Sequence, residues 1–412
     1  MAPPSAERPA DVVVVGAGAA GFMAAAEAAR RGRKTLLLEK QQRPGLKILI
    51  SGGGRCNLTT TRSGSDLEAQ FGKRRGRFLR HALRSFPPTA LREMFEGLGV
   101  PLQEEDLEKL FPVSQRARDV LDALLRHSEG CGVELRLGTP VRGLERSGEG
   151  YRLVTDAGTF ACHSVVLATG GRSYPKTGAT GDGYGFCREL GHTVTETVPA
   201  LAPLLVEETW LRDLQGIVLS DAEIAVLDER GRVINARRRP ILFTHHGLSG
   251  PAPMDLAGDI EERSGATIRL DFAPDYAAEQ LEAEWLAAAR SQGRRKVESL
   301  LPASLPERLR RTLCDLSGAA GCSLAELPRD ARRRLLTTVK DLRLPVASSR
   351  GFHHAEVTRG GIALDEVEPR TMESRLAPGL YLCGELLDID GPIGGFNFQA
   401  AFATGRLAGL SA

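Results

Sequence analysis

Gly16-Ala17-Gly18-Ala19-Ala20-Gly21 is a complete G-x-G-x-x-G, and Glu39 follows 23 positions after its first glycine. These residue types suit the binding of a dinucleotide. Gly16 permits a tight turn, Gly18 lets the backbone approach a pyrophosphate, and Gly21 lets a helix pack closely on a strand. A helix opening at Ala19 and Ala20 would offer unpaired N–H groups and a partial positive charge to the phosphates. Glu39 is placed to accept the hydroxyls of an adenosine ribose, for which an acid about 20 residues on is usual. A glycine-rich turn in an ordinary α/β protein is the plain alternative.

Three later stretches could press bare backbone on the same ligand. Gly52-Gly53-Gly54 with Arg55 suits an anionic or planar group. Ser164 to Gly171 reads as a buried strand that ends in Ala168-Thr169-Gly170-Gly171. Gly379 to Cys383 reads as another, ending at Gly384-Glu385, after which Gly391 to Asn397 leads into a helix to about Leu410. A nicotinamide dehydrogenase needs only the first unit. The distal acid and helix can serve the ribityl chain and the pyrimidine end of a flavin, where reduction places negative charge. A helix N-terminus favours that charge by about 0.3–1 kcal/mol when exposed and up to about 2 kcal/mol when partly buried. The expected resident nucleotide is therefore FAD rather than NAD. No second G-x-G-x-x-G occurs, so NAD(P)H is expected to bind only transiently near the flavin.

The elements that must position these residues follow from patterning. Val12 to Val15 is too short for a helix and β-branched throughout, and reads as a strand. An Ala- and Glu-rich helix to about Arg31 follows, closed by Gly32, then a strand from Thr35 to Leu38. Helices are expected over 78–85, 89–98 and 116–128, and strands over 133–137 and 141–144. Tyr151 to Thr155 and Gly158 to Cys162 read as a hairpin, and Lys47 to Ile50 as a short strand or helix edge. Asp182 is expected to cap a helix ending near Gly191. Antiparallel strands are expected between Pro199 and Phe272, interrupted by Leu242 to Pro253. Ala277 to Lys340 reads as helical, with Leu281, Trp285, Leu309, Leu313 and Leu335 on apolar faces. The domain plan is a disordered tail over 1–10 and an FAD-binding domain over 11–195. An inserted β domain over 196–274, a helical subdomain over 275–340 and a return over 341–412 complete it.

The chain has 412 residues, 42% of them hydrophobic and 26% charged, which describes a globular protein of two or three domains. No apolar run approaches the roughly 20 residues of a membrane span, and the start lacks a signal-peptide pattern, so a cytoplasmic location is expected. A net charge of +2 gives no strong reason to expect nucleic acid. Lys73-Arg74-Arg75 and Arg237-Arg238-Arg239 read as solvated surface. Seven scattered cysteines form neither a disulfide framework nor a metal pattern, and no C-x-x-C supports a flavin-linked dithiol. Cys56 reads as a small buried residue rather than a redox thiol.

Asp11 to Glu39, Ser51 to Asn57 (SGGGRCN) and Cys383 to Gln399 (CGELLDIDGPIGGFNFQ) together resemble the bacterial NAD(P)/FAD-dependent oxidoreductases of the aminoacetone oxidase-like flavoprotein family. Phe111-Pro112, Thr177 to Tyr184, Phe243 to Pro251 and Glu356 to Gly361 extend the resemblance over nearly the whole chain. It implies a Rossmann-like, two-dinucleotide-type FAD fold with an inserted antiparallel β domain and a helical subdomain. It also implies FAD contacts at Gly16, Gly18, Ala19, Ala20, Glu39, Gly53, Gly54, Arg55, Asn57, Thr169, Gly170, Gly384, Glu385, Gly394, Gly395, Phe396 and Asn397. Lys40, Lys47, Cys56, Val141 and Ala168 complete the candidate set. Leu46 stands where the family usually has Arg, and Glu108-Lys109 where it has Gly-Arg.

The expected activity is hydride transfer between bound FAD and a small-molecule substrate, with NAD(P)H or oxygen as second substrate. A pocket between the FAD domain and the inserted domains is expected to take the substrate. His245 is the candidate for proton transfer, with a packing or capping role as its alternative. The competing functions are a flavoprotein acting on tRNA and a flavin-bound sensor without turnover.

Overall fold

A computed structural model describes residues 10–263 and 265–412. The tail expected over 1–10 lies outside the described residues except for Ala10, which opens the first strand. Contacts divide the chain into two units: residues up to Val198 together with Glu356–Ala412, and Pro199–Ala355.

The first unit is built on β1 (Ala10–Val15), α1 (Ala19–Arg30), β2 (Thr35–Leu38), α2 (Leu46–Ile50), β3 (Glu134–Arg136), β4 (Val141–Ser147), β5 (Gly150–Thr155), β6 (Gly158–Leu167), β7 (Leu380–Leu382) and α3 (Phe396–Ser411). Val12 to Val15 are buried on both faces, as a strand covered by helices on each side requires. β1 lies between β2 and β6, with Val12 opposite Thr35 on one side and Ser164 on the other, all parallel. β3 extends the sheet beyond β2. The hairpin expected at 151–162 and the buried strand expected at 164–171 share one ten-residue strand, β6. Its first half pairs antiparallel with β5, and its second half pairs parallel with β7, which brings in the C-terminal segment.

Two glycines fix how the chain ends meet. A Cβ at Gly405 would lie 2.3 Å from the Ala20 carbonyl, and one at Gly409 would lie 2.2 Å from that of Ala24. α3 thus rests on α1 backbone to backbone, which only residues without a side chain allow. A Cβ at Gly384 would likewise lie 2.9 Å from the Ala20 Cβ.

Lys47–Ile50 belongs to a short helix, not a strand. Sequence patterning misses a small antiparallel sheet of Thr59–Thr60, Leu102–Glu105 and Lys109–Pro112. Its strands are short and charged, and Pro112, read as a break, ends one of them. Asp182 does not cap its helix. Gly181 holds that position in a left-handed conformation, while Asp182 sits in the first turn and takes hydrogen bonds from Lys40 and Thr180.

The second unit has a five-stranded antiparallel sheet in the order 218–219, 241–244, 247–249, 204–205, 348–349, and a four-stranded one in the order 233–238, 223–227, 267–271, 342–345. Helices Ala278–Ser291, Glu307–Ser317 and Arg329–Lys340 follow. Ile224, Val226, Ile268 and Leu270 share a single core with Trp285, Leu309, Leu313 and Leu335, so strands and helices stabilise each other. Leu242 to Pro253, expected to interrupt the strands, instead forms a hairpin of Ile241–Thr244 and Gly247–Ser249 and the start of a helix.

Candidate functional site

Gly16 turns the chain out of β1 at φ +104°, and a Cβ there would meet the Ala168 carbonyl at 2.6 Å. A Cβ at Gly21 would lie 1.8 Å from the Gly16 carbonyl, so the first turn of α1 sits directly on the loop. No atom lies within 4 Å of where a Cβ would project from Gly18, Gly53 or Gly170. That bare backbone is the cradle a pyrophosphate or planar ring would fill. Ala19 and Ala20 begin α1, whose first N–H groups have no partner within the helix.

Glu39 lies beside this loop. One carboxylate oxygen accepts the Ala17 N–H at 2.9 Å and the other the Gln41 N–H at 2.8 Å. Lys40 reaches across to Thr180 and Asp182. Val141 opens β4 and is half-buried, and Ala168 is buried where β6 ends, donating its N–H to Val15 O at 2.9 Å.

The distant motifs are tied together by side chains. In the amide orientation that satisfies both groups, Asn57 accepts the Gly395 N–H at 3.0 Å and donates to Thr59 O at 3.2 Å. Gly395 precedes α3 at φ +84°, and a Cβ there would lie 2.3 Å from Thr59 O. Asn397 closes its own loop by exchanging hydrogen bonds with Gly391 at 2.8 and 2.9 Å. Phe396 turns its ring inward, beneath Gly394 and edge-on to Phe71, leaving its backbone at the helix start. Arg55 donates to Glu105 and Gln115 and stacks 4.2 Å over Phe111. Gly54 precedes it at the end of the glycine turn.

Glu385 is held by three donors: Lys47 Nζ at 2.5 Å, Ser173 Oγ at 2.8 Å and the Thr358 N–H at 2.9 Å. Nearby Thr169 Oγ1 and Tyr184 Oη are buried and have no hydrogen-bond partner among the described residues. Burial first, and the Glu385 carboxylate second, hold the Tyr184 phenol well above its ordinary pKa, so it stays protonated. Two orphaned hydroxyls beside an open glycine cradle fit a polar ligand whose oxygens and ring nitrogens would satisfy them.

Cys56 is fully buried, and burial pushes its thiol up to about 12 against a hydrogen bond with Ser51. Such a thiol is not poised for redox chemistry. Among the described residues no group of three or more His, Cys, Asp or Glu is arranged to hold a metal.

Residue typing missed the charge lattice beneath the distal loop. Asp388 and Asp390 are about nine-tenths buried. Arg75 binds Asp388 at 2.8 Å and forms an ion pair with Asp390 at 3.0 Å, and Arg359 donates to Asp390 at 3.0 Å. Arg74 adds a contact to Asp388 at 3.3 Å. Arg75, read as solvated surface, is thus a half-buried counter-ion of the segment that carries Gly391 to Asn397, while Arg74 stays exposed as expected. A D-x-D immediately before a glycine run, with a basic triplet elsewhere, is the signal that was present. His245, by contrast, is exposed at the tip of its hairpin in the second unit, with its ring 3.7 Å from that of His246.

The open cradle at the start of α1, with α3 packed against that helix, defines a Rossmann-type dinucleotide protein of the flavin class. The profile described as "HI0933-like protein Rossmann domain" matches residues 10–411, and the chain belongs to this family of FAD-binding oxidoreductases. It is 33% identical over 396 residues to a ribosomal RNA dihydrouridine synthase of Escherichia coli (strain K12), covering 96% of each chain. It is 32% identical over 406 residues to a 3-dehydro-bile acid delta(4,6)-reductase of Clostridium scindens, covering 97% of this chain and 98% of that one. The crystal structure of a 3-ketosteroid delta1-dehydrogenase from Sterolibacterium denitrificans shares the fold, with a TM-score of 0.50 at 15% identity over 97% of this chain and 98% of that one. No helix among the described residues is long and apolar enough to cross a membrane.

Proposed function

We propose that the protein is an NAD(P)H-dependent FAD reductase that saturates a carbon–carbon double bond conjugated to a carbonyl. The observation that carries the flavin half is the junction of α1 and α3, where Gly384, Gly405 and Gly409 let the second half of α3 rest on the first turns of α1 beside the open cradle. The substrate class is supported by chemistry common to two named relatives. A dihydrouridine synthase saturates the uracil ring beside its C4 carbonyl, and a delta(4,6)-reductase acts on double bonds of a 3-oxo steroid.

Bound FAD would take a hydride from NAD(P)H and pass it to the β-carbon of the substrate. In this reading the first N–H groups of α1 and the backbone of Gly18 hold the pyrophosphate, and Glu39 turns toward the adenosine ribose. Backbone N–H groups at Gly53, Gly54 and the start of α3 orient the ring system. Gly394, Gly395, Phe396 and Asn397 contribute backbone there, with Thr169, Gly170 and Glu385 at the ribityl side. In this reading the buried Tyr184 hydroxyl, which has no hydrogen-bond partner among the described residues, would donate the proton to a developing enolate. His245 keeps the proton-transfer role as the alternative.

The test is anaerobic. FAD-loaded protein is mixed with NADPH or NADH, then with an enone, uridine or a uridine-containing RNA. Bleaching of the flavin by a nicotinamide, and its recovery with a product two hydrogens heavier, is the expected result. A flavin that no nicotinamide reduces, or that only oxygen reoxidises, overturns the reading. The +2 net charge does not by itself exclude an RNA substrate, which the dihydrouridine synthase relatives bring forward as a second reading.

A further inference from the structure

The small antiparallel sheet of Thr59–Thr60, Leu102–Glu105 and Lys109–Pro112 borders a cavity that the flavin reading leaves unused. Arg55, Glu105, Asp106, Lys109 and Phe111 line it, and its volume is about 390 Å³. Ligand pockets run from roughly 300 to 1,000 Å³, so this one has room for a ring and its substituents but not for a whole dinucleotide. The cavity adjoins the glycine turn. Arg55 Nε donates to Gly52 O at 3.4 Å, and a Cβ at Gly52 would lie 3.1 Å from the Phe111 ring.

Arg55 is held there as a flat platform. Its Nη1 donates to Glu105 Oε2 at 2.9 Å and to Gln115 Oε1 at 2.8 Å, and Gln115 Nε2 donates to Glu105 Oε1 at 2.8 Å. Phe111 lies beneath one face of the guanidinium, 4.2 Å away, so the other face is the one offered to a ligand. Arg55 Nη2 has no hydrogen-bond partner among the described residues.

The backbone around the cavity is strained. Among the described residues seven other than glycine have a positive φ, and four of them surround this cavity. Cys56 (+64°) follows Arg55, Leu107 (+63°) and Glu108 (+59°) join Asp106 to Lys109, and Gln115 (+56°) braces the guanidinium. Such strain collects at ligand sites, where the surrounding structure must maintain it. Here Arg62 binds the Glu108 carboxylate at 2.5 Å, and the Thr61 N–H donates to Glu108 O at 3.0 Å.

Arg55 and Lys109 are balanced by Glu105 and Asp106, so the lining carries no net charge to attract a phosphate or carboxylate. It suits a neutral planar group that has both a carbonyl and an N–H. A nicotinamide has both in its carboxamide, and its ring can stack on a guanidinium. No second G-x-G-x-x-G is present to hold a nicotinamide dinucleotide elsewhere.

We propose that this cavity receives the nicotinamide ring of NAD(P)H, stacked on the open face of Arg55, with its carboxamide oxygen on Arg55 Nη2 and its amide N–H on Asp106. The proposal rests on the reductase reading above and places that reading's hydride donor. The stack also gives the step a direction. When the ring's C4–H bond breaks, the hydrogen and its electron pair pass to FAD, and the ring is left as a pyridinium cation. A guanidinium attracts the neutral ring and repels the cation, so oxidation loosens the spent nicotinamide.

The experiment uses the FAD-loaded full chain with tetrahydro-NADP and tetrahydro-NAD, whose rings are neutral and carry no transferable hydride, beside NADP+ and NAD+. Binding is read by calorimetry and by the shift of the flavin absorption bands. The neutral-ring form should bind about fivefold more tightly than its oxidised counterpart. Arg55→Gln should weaken the neutral form about tenfold and bring the two forms within about twofold of each other. It should leave ADP-ribose or its 2′-phosphate, which lack the ring, bound as before. Arg55→Lys, which keeps the charge but not the plane, should recover little of the affinity. Bound flavin and melting temperature are read alongside. If Arg55→Gln does not fold, Asp106→Ala takes its place and should weaken the neutral form about threefold.

Folded variants that bind both forms as the wild type does overturn the proposal. So does an equal loss for ADP-ribose, which would put Arg55 on a phosphate, or loss of FAD from folded Arg55→Gln, which would put it on the flavin. If neither NADPH nor NADH reduces the flavin, the reductase reading fails and the proposal with it. If they reduce it while the variants keep wild-type affinities, only the docking site fails.

Discussion

Charge is handled in opposite ways in the two units. Under the distal flavin loop, Asp388 and Asp390 are buried and each is met by arginine from a different part of the chain. On the second unit, the rings of His245 and His246 lie exposed 3.7 Å apart, and Arg238 meets Asp221 and Asp275 at the surface. Burial makes an unpaired charge expensive, so the first arrangement must be complete to exist. Exposure lets water screen a charge, so the second need not be complete. The difference separates charges that build a site from charges that decorate a surface.

Removing a counter-ion from the buried lattice should have the largest effect. Arg75→Met leaves Asp388 and Asp390 short of their shared partner and should cost about 3–5 kcal/mol. Urea unfolding should show that loss, and flavin absorbance after purification should fall with it, since the lattice holds the segment leading to Gly395. A wild-type midpoint in the variant would mean that the lattice is not what fixes the loop.

Gly405→Leu attacks the same junction through packing. Its side chain must enter the space of the Ala20 carbonyl, and overpacking of this kind costs about 1–3 kcal/mol. Bound FAD should drop more than for Gly191→Ala, which has open space around it but a positive φ. Equal flavin content in the two proteins would count against the helix junction as the cofactor cradle.

Acid should weaken the first unit through Glu68. Burial opposes ionisation of its carboxyl, but hydrogen bonds and charges from Arg80 and Arg84 hold its pKa below the usual value in the folded state. A lowered folded pKa gives stability that is present above the unfolded pKa, near 4.3 for a glutamate, and is lost as pH falls through the folded one. The melting temperature should therefore fall on acidification below about pH 4, and Glu68→Gln should flatten that part of the profile. A profile that keeps its shape in the variant would remove Glu68 from the account.

The smallest effect is expected on the exposed side of the comparison. Arg238→Gln breaks contacts to Asp221 and Asp275 that water already screens, and should change stability by no more than about 1 kcal/mol. A loss as large as that of Arg75→Met would erase the distinction between the two charge regimes.

Much of the first unit was legible because its signals are local. Four consecutive valines, a glycine turn and an alanine-rich run specify a strand, a loop and a helix within about twenty residues, and β1, α1 and β2 appear where patterning puts them. The short strand at Lys109–Pro112 was not legible, since charged residues and a proline mask it. The hairpin at Ile241–Ser249 was hidden by its glycines and histidines in the same way.

The residue order alone determined that glycine-rich backbone would meet a dinucleotide, because that need is written into residue type and spacing. Only the tertiary structure decided which side chains surround it. Arg75 reaches Asp388 across 313 positions, and Lys47 reaches Glu385 across 338. The pairing of such distant charges depends on the sheet that brings β7 beside β6, and no local pattern in the sequence encodes it. Whether an arginine is a buried counter-ion or a solvated surface charge is settled by what folds against it, since burial sets the cost of leaving it alone.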